Sequence, residues 1–170
     1  MRPFARHSRT PRADLALLTA FGVAFGFVEA AVVYYLRRLV RFHQTYPLSH
    51  YKVLLNLGFI TFVSPVHTVL VDRRVADVEA LREAATLIML LCVAYLAGRN
   101  WRGRLGAFLV AFACWDLAYY LFLRLIDGWP TSLLTRDVYF LIPVAWIGPV
   151  LTPLLISLAL LALGVWLYRD

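Results

Sequence analysis

The chain has little charge and none of the short motifs that mark common enzymes. Of its 170 residues, 16% are charged and ten are acidic. A soluble domain averages about 25% charged and 45–50% apolar, whereas 62% here are hydrophobic and the mean hydropathy is +0.72. No polar stretch is long enough for a separate soluble unit. GxSxG, HExxH, Walker and GxGxxG patterns are missing, so covalent and phosphoryl chemistry have no support. The two cysteines, Cys92 and Cys114, lie inside apolar runs with neither CxxC nor metal-ligand spacing, and read as small buried hydrophobes. His43, His50 and His67 could pair with acids to hold iron, manganese or zinc. No histidine stands three or four places from an acid or another histidine in an expected span, so no metal site is assigned.

What is present is a series of apolar runs flanked by arginine. Net charge is +7, from sixteen arginines and Lys52 against ten acids. The basic clusters at 2–12, 37–41, 73–74 and 99–104 border these runs, as anchors to anionic headgroups do. Nucleic acid is excluded as a partner, because the aromatics lie within the runs and not on a basic face.

The spacing predicts an all-α integral membrane protein, with a basic cytoplasmic tail at 1–14 and one helical domain at 15–170. Leu15–Leu36 is long enough to cross, and too long for a cleavable signal, so it reads as a retained first span. Spans are also expected at about 79–98, 105–126 and 150–168. Val53–Val71 is apolar but contains Asn56, Ser64, Pro65 and His67; it is expected to be re-entrant or interfacial, with a fifth span as the alternative. Val138–Gly148, interrupted by Pro143 and followed by Pro149 and Pro153, is expected to penetrate halfway.

Carboxylates stand where a bilayer disfavours them, at roughly 2.5–3.5 kcal/mol for a charge at mid-membrane. Glu29 continues a Gly22/Gly26 stripe whose small residues admit a close helix neighbour. Glu79 and Glu83 are one turn apart, with Arg82 as a local counter-ion. Asp116, Tyr120 and Arg124 share a helix face and are expected to form a hydrogen-bonded ladder, with Tyr119 beside it. With four spans, these groups fall in one half of the bilayer; with five, Glu29 is separated from Glu83.

The expected site therefore has Glu29, Glu83, Asp116 and Tyr120 as acid/base groups, with Arg82 and Arg124 as charge partners. Glu79, Tyr119, Asp127, Trp129 and Asp137 are expected to bind or cap, and no cofactor is indicated. Burial disfavours the charged carboxyl, and an acid held protonated beside an ionised one is what general acid/base chemistry needs. Three functions follow: a site acting on a lipid-like or small apolar substrate, a non-catalytic subunit of a membrane complex, or a small proton-coupled transporter. Partners would be membrane lipids, further copies of the chain or a larger complex.

The strings FVEAAVVYYLR (27–37), REAATLIML (82–90), WDLAYYLFL (115–123) and DGWPTSLLTRDVYFLIP (127–143) resemble a group of uncharacterised small bacterial multi-spanning membrane proteins. The resemblance covers about a third of the chain. It implies a bacterial inner membrane and carries no activity. The basic tail and RNWRGR (99–104) share one side in the four-span arrangement, expected to be cytoplasmic.

Overall fold

A computed structural model describes residues 10–40, 51–64 and 73–169. Four helices dominate it: α1 (Pro11–Val40), α2 (Arg73–Ala97), α3 (Trp101–Asp127) and α4 (Leu151–Arg169). All four are long and apolar enough to cross a membrane. Their ends follow local chemistry. Thr10 Oγ1 accepts from Ala13 N at 3.3 Å, one residue ahead of Pro11; proline suits the first helical position because its missing N–H has no intrahelical role there. Asn100 caps α3, its side chain accepting from Gly103 N at 2.7 Å. Gly128 ends α3 in the left-handed region, φ +67°, where a Cβ would be strained.

α3 is the central helix, and α1, α2 and α4 each pack chiefly on it. α1 runs parallel to α3. A Cβ built on Gly22 would lie 2.7 Å from Ala111 O, and one on Gly26 would lie 2.6 Å from Trp115 O. The glycine stripe thus brings the two backbones together, and it turns Glu29 and Ala30 inward on the same buried face. α4 returns antiparallel, with Gly164 over Val110 and Gly106 under Tyr168.

The fold departs from an all-α protein by one small sheet. β1 (Lys52–Asn56), β2 (Thr61–Ser64), β3 (Arg136–Phe140) and β4 (Ala145–Pro149) pair antiparallel in the order β1-β2-β4-β3. Val53–Val71, expected to be re-entrant or interfacial, contributes a hairpin over 51–64; Pro65, His67 and the remainder of that run lie outside the described residues. Val138–Gly148 is the second hairpin and not a half-penetrating helix. Val63, Leu141, Ala145 and Ile147 form the sheet's own core, against Ala80 of α2. Four candidate spans place both hairpins at one end of the bundle, with the last turns of α1 and α3 and the first turns of α2 and α4.

Candidate functional site

All three glutamates of the chain, Glu29, Glu79 and Glu83, line one cavity of about 60 Å³. Asp116, Tyr119 and Tyr120 line it from α3, Thr86 from α2, and Val138–Phe140 closes it from the sheet. α1 delivers Glu29 through the glycine stripe. α2 delivers Glu79, Arg82 and Glu83 from one turn, because residues three and four apart share a face. α3 delivers Asp116 and Tyr120, again one turn apart.

The acids fall into two kinds. Glu29 and Glu79 are held by charge: Arg82 bridges them, donating Nη1 to Glu29 and Nε to Glu79 Oε2, the latter at 2.9 Å. Glu83 and Asp116 are held by neutral donors. Glu83 Oε2 accepts from Leu141 N at 2.8 Å, and Asp116 Oδ2 accepts from Ser157 Oγ at 2.8 Å. Each of these two acids is thus oriented by a neutral hydrogen-bond donor, whereas Glu29 and Glu79 are held by an ionic partner.

The expected ladder along α3 does not form, because each member finds a partner on another element. Asp116 reaches α4. Tyr120 donates to Asp137 Oδ2 at 2.9 Å, which ties Asp137, the second residue of β3, to the cluster. Arg124, expected as a charge partner, stands on the exposed last turn of α3 and donates to the carbonyls of Gly128 and Pro130 instead. It closes the loop and does not line the cavity. Asp127 and Trp129 form a neighbouring group: Arg37 donates to Asp127 at 3.0 Å while its guanidinium lies 3.9 Å over the Trp129 ring. Trp129 is buried and packs beside Tyr120.

Asp137 lies outside the candidate spans. Burial raises its carboxyl from the usual 3.8 to about 6, against the lowering effects of the Arg37 charge and the Tyr120 hydroxyl. Burial also pushes the Tyr139 phenol up; its hydroxyl donates to Pro149 O at 2.7 Å.

Ser157 is the polar residue that the sequence did not mark. Its signal was a hydroxyl within the apolar run Leu154–Leu163. His43 and His50, like His67, lie outside the described residues, and among the described residues no group of three or more His, Cys, Asp or Glu could hold a metal ion. No family model, curated protein or solved structure matches the chain.

Proposed function

We propose that this is a multi-pass protein of the bacterial inner membrane, N-terminus in the cytoplasm, with a site for the polar head of a lipid-like or small apolar substrate. The observation that carries this reading is the convergence of Glu29, Glu83 and Asp116, from three helices, on one cavity with Tyr120. Glu83 and Asp116 serve as the acid/base pair, and Arg82 neutralises Glu29 and Glu79 beside them. The cavity has room for a small polar group and not for an acyl chain. The apolar part of a substrate therefore lies outside it, toward the bilayer.

The test is to purify the protein from a bacterial membrane and identify retained small molecules by native mass spectrometry, in wild type, Glu83→Gln and Asp116→Asn. A bound amphiphile that both variants lose while keeping their thermal midpoints supports the site. No retained molecule, with both midpoints lowered together, overturns it.

A second reading, a non-catalytic subunit of a membrane complex, draws on a different observation. Arg82 with Glu29 and Glu79, Glu83 with Leu141, Asp116 with Ser157 and Tyr120 with Asp137 are all satisfied within the chain. A closed network of this kind also serves purely to fix helices in place.

A further inference from the structure

β1 carries exposed apolar side chains on both faces, Val53 and Leu55 on one and Leu54 between Lys52 and Asn56 on the other. Val53, Leu54 and Leu55, with Leu57 and Phe59 in the turn that follows, are between 43% and 55% exposed. A strand with one side in water alternates apolar and polar residues; Val53–Ser64 contains no charge at all. β2 behaves differently, with Thr61 and Val63 buried between half-buried neighbours. β1 is also one of the two outer strands of the sheet. A long apolar edge in water invites aggregation, and soluble proteins guard such edges with charges. β1 has only Lys52, at its first position.

The turn is tied to the bundle at a defined level. Asn56 Oδ1 accepts from Gly58 N at 2.8 Å, which shapes the turn, and Phe59 O accepts from Thr152 Oγ1 at 3.2 Å. Thr152 is in the first turn of α4. The exposed side chains of Leu155, Ile156 and Leu158 continue from there along the outer face of that helix. The apolar surface of the turn is therefore continuous with the apolar surface of a candidate span. Tyr51 precedes the strand and Lys52 opens it, residue types that gather at a membrane interface.

We infer that β1 and its turn dip their apolar side chains into the boundary between headgroups and acyl chains, beside the first turns of α4. The occupant is the lipid leaflet. The depth follows from the backbone: an outer strand turns a row of N–H and C=O groups away from its sheet, which hydrocarbon does not tolerate and hydrated headgroups do. Pairing with a second copy through this edge would satisfy that row but leave the apolar side chains on both faces uncovered. The hairpin then holds the sheet, and with it the roof of the acidic cavity, at a fixed height over the bundle.

This inference rests on the membrane reading, so its test carries a control on α4. Cys92 and Cys114 are replaced by alanine, and Leu55→Cys, Leu57→Cys and Leu158→Cys are each labelled with an environment-sensitive fluorophore in phosphatidylcholine liposomes. Lipids carry a nitroxide quencher either near the headgroup or deep in the chain. The label at 158 should lose most of its fluorescence to the deep quencher, and those at 55 and 57 to the shallow one. Quenching at 158 with none at 55 and 57 overturns the inference and leaves the spans standing; crosslinking of 55 between copies in that case assigns the strand to a dimer. No quenching at any position overturns both. The turn is open around Leu57, so Leu57→Cys carries the measurement if Leu55→Cys does not fold.

Discussion

Arg82 on α2 holds Glu29 on α1 across 53 residues of sequence, and the same guanidinium holds Glu79 on its own helix. α1 and α2 both lean on α3, so this bridge is a direct polar tie between them. Its geometry needs arginine, whose planar fork serves two carboxylates at once, where a lysine offers a point charge.

Removing the guanidinium leaves two partly buried carboxylates facing one another. Arg82→Met is expected to cost about 3 kcal/mol, because breaking a buried pair from one side strands a charge. Adding Glu29→Gln should recover part of the loss, since the remaining groups are then less charged. Thermal unfolding of the two single variants and the double variant in detergent checks this. Strict additivity would show that Arg82 and Glu29 are not energetically coupled.

The contact between α1 and α3 depends on having no side chain at Gly26. An added Cβ would meet Trp115 O at 2.6 Å and Ala118 Cβ at 2.8 Å. Both are rigid, so the helices must part. Gly26→Ala is expected to destabilise by about 1–3 kcal/mol, the range for overpacking, and to move Glu29 away from Arg82. Ala30→Gly, on the same stripe, adds no bulk and should not part the helices. Equal stability of Gly26→Ala and wild type would show that α1 does not seat on α3 as described.

Hydropathy made the helices legible. Each expected span lies within or nearly within an observed helix, because a run of about 20 apolar residues has few other uses. The partnership of Arg82 with Glu79 was legible for the same local reason, three residues on one helical face. The sheet was not. Its strands are four or five residues long, and at that length an apolar run has no period that separates a strand from a buried helix. The clue was Asn56-Leu57-Gly58, a turn signal inside Val53–Val71. The Tyr120–Asp137 and Asp116–Ser157 bonds were hidden for another reason. Each joins residues brought together by a chain reversal, so α3 alone suggested a ladder that the tertiary structure divides among three elements.

Asp137 makes the fold pH-dependent. Its carboxyl stands at about 6 in the folded chain against an ordinary 3.8. A raised value in the folded state means that folding favours the protonated form. The associated stability is therefore complete below about 3.8 and is lost as pH rises through about 6, to a total on the order of 3 kcal/mol. Asp137→Asn removes this dependence, so its thermal midpoint should vary less than that of wild type across the interval. Tyr120→Phe should shift the transition to higher pH, because the hydroxyl that favours the carboxylate is gone. Identical pH profiles for wild type and Asp137→Asn would show that this acid is not the titrating group.

The single-site reading depends on which ends of the helices share a side of the membrane. Four crossings place Asp77, in the first turns of α2, with Ser132, in the loop after α3, and place Asn100, between α2 and α3, opposite. All three are exposed, so a cysteine there is accessible to the reagent; Asn100→Cys also gives up the cap of α3, at about 1 kcal/mol. In a background with Cys92 and Cys114 replaced by alanine, Asp77→Cys and Ser132→Cys should react with an impermeant thiol reagent from the same side, and Asn100→Cys from the other. The hairpin over 51–64 is what makes this order possible: as a hairpin it returns the chain to the side from which α2 begins, next to the last turns of α1. Labelling of Asn100→Cys from the same side as Ser132→Cys would mean that α3 does not cross. Glu83 and Asp116 would then not share one leaflet with the sheet, and acid/base chemistry at a single cavity would lose its geometric basis.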